Sequence, residues 1–257
     1  MATPKVRYVS STDGIKVRDT PGGSQIATLN YGNLMYERST TYQTATLGGV
    51  EYTWAYVYYY KNDNAFSEGT GWVAIEFTTV VSSTAPAKTN IVSSSGSIEQ
   101  FQQLTNARYI YHYLKNEGWR DYPIFAMLGN MESESFINPG NWEELNNTQK
   151  GYGLTHWTPS TKLTDWAAEN NLNGNDIDTQ LKRILYEVEN DSVQWVCPDS
   201  EPHFTFSAFT TSTKSVYALA EYFIRCYERP ASITSEEIAE RQKHAWKWCT
   251  LIGYLNA

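Results

Sequence analysis

The hydrophobic pattern changes period once along the chain, near residue 82, and that change excludes a single continuous fold. Before it, side chains alternate with the two-residue period of a half-buried strand, most clearly over residues 51–60, EYTWAYVYYY. Turn residues punctuate this part at Asp13-Gly14, Pro21-Gly22-Gly23, Gly32-Asn33, Gly48-Gly49 and Gly69. Short strands at such spacing predict a small barrel or sandwich. From about Ile98 the spacing becomes helical, with Phe101, Leu104, Ala107, Tyr111 and Leu114 on one face and Gly118 as a stop. Between the two parts lies a Ser/Thr/Ala/Pro-rich stretch that cannot bury a core. The fold class predicted is therefore α+β in two domains. A small all-β domain occupies residues 1–81, a flexible linker 82–97, and a mainly helical domain with a short β-hairpin 98–257. The full 257 residues suit two modest domains.

Within the helical part, a second helix is expected from Pro123 to about Ser135. Further helices are expected at 176–190, 212–228 and 234–252, the last opened by a Thr234-x-x-Glu237 capping box. Residues 140–159, rich in Asn, Gly and Trp, read as a loop with a short hairpin. No internal repeat is evident.

Charge and cysteine content narrow the function. A net charge of −8 disfavours nucleic acid, whose phosphates need clustered Lys and Arg. No run of 18 apolar residues offers a membrane span, and the N-terminus lacks the apolar stretch of a signal peptide. Three cysteines, Cys197, Cys226 and Cys249, leave no complete disulfide framework and predict buried thiols made in a reducing compartment. A thiol nucleophile paired with His203 or His244, as in an amidase, lacks an activating context here. No HExxH or Cys/His cluster points to a metal, and no cofactor is expected. Aromatic residues reach 14%, which suits cores and also surfaces that stack on sugars or pack against peptides.

Chemistry is concentrated in residues 123–139, PIFAMLGNMESESFINP. On a helix turning ~100° per residue, Glu134 lies over Met131 and Met127, and Glu132 points the opposite way, toward water. A carboxyl among apolar groups holds its proton more tightly, as a general acid at a glycosidic oxygen must.

Two resemblances give these patterns a context. Gly14-Ile15-Lys16-Val17-Arg18-Asp19-Thr20-Pro21-Gly22-Gly23, then Trp54-Ala55-Tyr56-Val57 and Gly71-Trp72-Val73-Ala74, resemble bacterial SH3-type (SH3b) domains. That resemblance implies an SH3-like barrel that grips the peptide part of peptidoglycan, with Tyr56, Tyr58 and Trp72 as wall-binding candidates. The residues alone leave open which half of the tyrosine row faces outward.

Gly129-Asn130-Met131, Glu134-Ser135, Asn138-Pro139, Gly151-Tyr152-Gly153-Leu154 and Trp157-Thr158-Pro159 resemble the phage lysozymes of tail-associated lysins and endolysins, within the lysozyme and lytic transglycosylase superfamily. Tyr227-Glu228-Arg229-Pro230 matches a recurrent late segment of these enzymes. The resemblance implies a catalytic acid at Glu134 and a hydrogen bond from Ser135 that ties the hairpin to the helix. It implies tight turns at Gly151 and Gly153 and a cleft floor of Leu154 and Trp157. Ser135, Tyr152, Gly153, Leu154, His156 and Trp157 are the substrate-binding candidates, His156 standing where these relatives have Gln. A second carboxylate would be Glu143 or Glu144, with Asp165 farther off. Glu228 with Arg229 reads as a structural ion pair.

The function expected is a muramidase acting on peptidoglycan glycan, with the wall as the partner and no obligate protein partner evident. A lytic transglycosylase, or a non-catalytic wall-binding tail protein, are the alternatives. The expected route is host-cytoplasmic synthesis, then holin release or carriage on a virion.

Overall fold

The longest alternating run becomes the longest strand. The structure, a computed structural model, describes residues 4–63, 65–198 and 204–256. His203 lies outside the described residues. Among the described residues, eight strands form one antiparallel sheet: β1 (Val6–Val9), β2 (Ile15–Arg18), β3 (Gln25–Leu29), β4 (Leu34–Glu37), β5 (Gln43–Leu47), β6 (Val50–Asp63), β7 (Ala65–Ala74) and β8 (Thr78–Val80). The order is β3-β2-β7-β6-β4-β1-β8, and β5 pairs separately with β6. Gly48 and Gly49 close the β5–β6 hairpin with φ of +61° and +81°, which suits a two-residue turn that needs left-handed backbone at both positions. The alternation on β6 sends Ala55, Val57 and Tyr59 into a core with Val9, Val17, Leu29, Met35 and Val73. Tyr56 and Tyr58 fall on the other face, both half-buried. On that face Trp54 is buried too, its Nε1 donating to Ala45 O of β5 at 3.3 Å.

The helical part contains α1 (Gln100–Asn116), α2 (Asp121–Ser135), α3 (Thr161–Glu169), α4 (Ile177–Glu189), α5 (Phe206–Thr210), α6 (Val216–Phe223) and α7 (Ser235–Asn256). An antiparallel sheet followed by this helical region makes the two-part α+β fold. Caps fix several starts: Asp176 accepts from Asp178 N and Thr179 N, and Thr234 and Glu237 bond each other reciprocally. The single helix expected over 212–228 begins later, at Val216 behind the Ser215 cap. It widens into a π turn at Ile224–Glu228. The sequence pattern did not show α3, which buries only Leu163 and Ala167. The expected hairpin is reduced to two bridges, Trp142 to Tyr152 and Tyr152 to Trp157.

By packing, the chain divides into Met1–Thr84 with Glu99–Gln102 and Leu251–Ala257, and Ala85–Ile98 with Gln103–Thr250. The stretch expected to be a flexible linker carries specific bonds in the second unit. Val92 N and O bond the Asn106 amide, Lys88 pairs with Asp176 and Asp178, and Ser94 exchanges hydrogen bonds with Asn138. Low side-chain bulk excluded a core of its own, but its backbone groups found partners on a neighbouring one.

The cysteine expectation is overturned for two of the three. Cys197 and Cys226 form a disulfide, and Cys249 is free, its thiol pushed up to about 11 by burial. An odd total says nothing about whether two of the members meet in space. Neither Cys197 nor Cys226 is therefore free to act as a thiol nucleophile.

Candidate active site

Helix α2 is enclosed along most of its length, and this decides what its two glutamates meet. Gly129 lets α7 approach closely: a Cβ there would stand 2.5 Å from Ala245 N and 2.7 Å from Arg241 O. Asn130 sits inside, its Nδ2 donating to Ala126 O at 2.9 Å and to Ala220 O of α6 at 3.2 Å. Beyond the helix, Phe136 and Ile137 adopt left-handed backbone and Asn138 turns inward. The Asn138 amide accepts from Ser94 N and Gly140 N and donates to Ser94 O and Gly96 O. The Asn-Pro signature is thus a structural clasp.

The expected environments of Glu132 and Glu134 are reversed. Glu132 is 2% exposed and pairs with Lys247, which is 0% exposed and lies 4.3 Å from the Trp248 ring centre. His244 completes this buried group, with Nδ1 3.0 Å from Ser133 Oγ and Nε2 3.9 Å from Glu132 Oε1. The Glu134 side chain is 22% exposed and pairs with Arg241. Arg241 Nη2 donates to its Oε1 at 2.5 Å, while Oε2 faces His156 Nδ1 at 3.9 Å. With nearly every face of α2 covered, helical phase did not separate core from water, and cations on α7 set the two environments.

His156 is held by its other nitrogen. Nε2 lies 2.7 Å from Asn141 Oδ1 and must donate to it, so the lone pair of the neutral ring sits on Nδ1, toward Glu134. Burial pushes the His156 pKa down, opposed by the charges of Glu134 and then Glu143. Glu143 is exposed, bonded to Lys150 Nζ at 2.8 Å and Gly151 N at 3.0 Å, and Lys150 chiefly holds it below the usual carboxylate range. The charge of Glu143 thus acts on His156 together with that of Glu134. Glu144 is exposed and bonded to Asn147, and Asp165 is exposed on α3.

A network beneath the surface supports this arrangement. Ser135 Oγ donates to Leu154 O at 2.8 Å, the tie between hairpin and helix. Gln180 Oε1 accepts from Leu154 N and its Nε2 donates to Pro139 O, and a Cβ on Gly153 would stand 2.7 Å from that Oε1. Glu187 accepts from Trp157 Nε1 at 3.0 Å, Arg183 Nε at 2.8 Å and Tyr227 OH at 2.5 Å. Leu154 and Trp157, expected to line the cleft floor, are consequently buried. Ser135 and Tyr152 are buried as well.

The π turn carries a further carboxyl. Glu228 does not pair with Arg229, which is exposed with φ of +50°, so that expectation fails. Its pKa is raised well above the ordinary range by burial and then by the Glu134 charge, with Arg241 opposing. Glu228 Oε1 and Arg241 Nε are buried without hydrogen-bond partners. Arg241, Gln180, Glu187 and Asn141 had no signal in the sequence, because each acts on a residue distant along the chain.

In the first unit, Tyr56 and Trp72 come together with ring centres 5.4 Å apart, and Tyr56 OH donates to Thr70 Oγ1 at 3.0 Å. Tyr58 belongs to a different cluster, stacked on Tyr36 at 5.3 Å. Among the described residues no group of three or more His, Cys, Asp or Glu could hold a metal ion, and no helix is long and apolar enough to cross a membrane.

Residues 105–252, more than half of the chain, match the family model described as phage tail lysozyme. A stretch of 160 residues is 42% identical to Morphogenesis protein 1 of Bacillus phage B103, covering 62% of this chain and 43% of that protein. The match thus spans less than half the length of that relative.

Proposed function

The chain belongs to the phage tail lysozyme family, and from that premise we propose that it is a muramidase cutting peptidoglycan glycan after N-acetylmuramic acid. The observation that carries this reading is the placement of Glu134. It is a partly exposed carboxyl at the end of a buried helix, with one oxygen fixed by Arg241 and the other turned toward the hairpin. In its acid form Glu134 gives the proton on Oε2 to the glycosidic oxygen as the C1–O bond breaks. Water then adds at C1, the proton it releases restores the acid form of Glu134, and a reducing muramic end is left. Arg241 restricts the carboxyl to one orientation, which lowers the entropic cost of proton transfer. Glu143, beside His156, is the candidate to orient that water, and Glu144 and Asp165 are worse placed.

In the decisive experiment, purified peptidoglycan is digested with wild type and Glu134→Gln, and the products are read by mass spectrometry. Loss of a general acid should slow release ~100-fold or more. Full activity in the variant would refute the assignment. Products with 1,6-anhydro ends would turn the reading to a lytic transglycosylase, a reaction that needs no second carboxylate.

We also propose that the β-rich unit is an SH3-type wall-binding domain, using the Tyr56–Trp72 pair. The likeness to a phage morphogenesis protein favours a virion-borne lysin over a holin-released one.

A further inference from the structure

The hairpin holds His156 by its backbone as well as by its ring. The His156 N–H donates to Gly153 O at 3.1 Å, and its O accepts from Thr158 Oγ1 at 2.8 Å. Its φ of +46° is left-handed backbone, which residues other than Gly rarely adopt. Gly151 makes room for the side chain, since a Cβ there would stand 2.7 Å from the His156 Cβ and 3.0 Å from its Cγ. The bond from Nε2 to Asn141 Oδ1 fixes the ring, and the side chain is only 14% exposed. Together these contacts turn one atom, Nδ1, toward Glu134 Oε2 at 3.9 Å.

We propose that His156 is the proton relay that returns Glu134 to its acid form after each cleavage. The inference rests on the glycan-cleaving reading and deepens it. Once the glycosidic oxygen has taken the proton from Oε2, Glu134 is a carboxylate. As water adds at C1, its proton passes to the lone pair on His156 Nδ1. That Nδ1–H then faces Oε2 and hands the proton over, so both side chains regain their starting states. The leaving oxygen and C1 have by then received the H and the OH of one water.

Three arrangements support the relay. Arg241 donates to Oε1, so a proton on Glu134 resides on Oε2, the oxygen that faces His156. A separation of 3.9 Å exceeds a direct hydrogen bond, but a ~1 Å shift or one intervening water closes it, as acid–base contacts do when substrate binds. The surrounding charges let the ring gain a proton and lose it again. Burial pushes the His156 pKa down, while Glu134 from α2 and then Glu143 from the hairpin draw a proton toward the ring. Lys150 pairs with Glu143, and Arg241 of α7 pairs with Glu134. Glu228 of the π turn, which interacts with the Glu134 charge, keeps its own proton through burial.

The full chain, His156→Asn, His156→Gln and Glu134→Gln digest purified peptidoglycan between about pH 5 and 8, the range in which histidine titrates, with folding checked by circular dichroism. Asn tolerates left-handed backbone, so His156→Asn remains informative if His156→Gln misfolds. Both side chains can hydrogen-bond but carry no titrating proton. Near neutral pH their kcat should fall ~10-fold or more with KM nearly unchanged, short of the ~100-fold expected for loss of the acid itself. The defect should shrink toward acid pH, where solvent protons recharge Glu134 directly. Added imidazole should restore part of the rate near neutral pH. A defect equal at every pH and unmoved by imidazole overturns the relay in favour of a structural role. Full lysis by Glu134→Gln overturns the acid assignment and the relay with it. Loss of lysis in Glu134→Gln beside wild-type kcat in both His156 variants overturns the relay alone.

Discussion

Glu132 and Glu134 are two positions apart on one helix and differ in burial, 2% against 22% exposed, so their substitutions should separate folding from chemistry. Lys247→Met leaves Glu132 buried without a cation. A broken buried pair costs ~3–5 kcal/mol, and chemical denaturation should show a loss of that size. Glu228 offers a test by pH. Burial raises its pKa from an ordinary value of 4.5, and Glu134, Arg241 and Glu187 are the charged groups that act on it. The folded state therefore keeps a proton that the unfolded chain releases. The stability this gives is complete below the unfolded value and is lost as pH rises through the folded one. Glu228→Gln cannot ionise, so its melting temperature should fall less steeply than that of wild type between about pH 5 and 8. Glu187, raised in the same direction by burial, persists in the variant and leaves part of the slope. A slope identical to wild type would show that Glu228 ionises freely. Glu134 was singled out as the candidate acid by its match to lysozyme motifs, whereas the guanidinium on its oxygen had no signal in the sequence.

At the scale of elements, the site depends on how closely α2 and α7 pack. Gly129→Ala would push a methyl against the α7 backbone at Ala245 and Arg241, which have no flexible end to yield. Overpacking of this kind costs ~1–3 kcal/mol. Because α7 carries Arg241, lytic activity should fall further than the stability loss explains, and the rate compared at matched folded fraction would reveal this. Ser135→Ala tests the tie to the hairpin. Without a donor the Leu154 carbonyl is left buried and unpaired, a loss of ~1–3 kcal/mol on thermal unfolding. The long helices were legible from apolar spacing and caps, since both are local. Helix α3 was not, because two buried residues give too weak a period, and the π turn at Ile224–Glu228 was not, because helical spacing does not distinguish it from an α-helical end.

For the whole molecule, wall binding and cleavage are proposed for different units. Trp72→Ala removes one ring of the Tyr56–Trp72 pair and should reduce co-sedimentation of the full chain with purified cell walls several-fold; unchanged pelleting would move the binding surface elsewhere. Period, local hydrogen bonding and family motif were enough to read the α+β division, the β alternation, most helices and the Thr234–Glu237 cap, and to single out a candidate acid. Tertiary structure decided the Cys197–Cys226 pairing, the exchange of environment between Glu132 and Glu134, the burial of Leu154 and Trp157, and the docking of the Ser-rich stretch. Each of these depends on which distant groups meet: Arg241 lies 107 residues from Glu134, and Lys247 lies 115 from Glu132. A local pattern shows which residues share a face, but the partner supplied from elsewhere in the chain determines whether that face is apolar, charged or open to water.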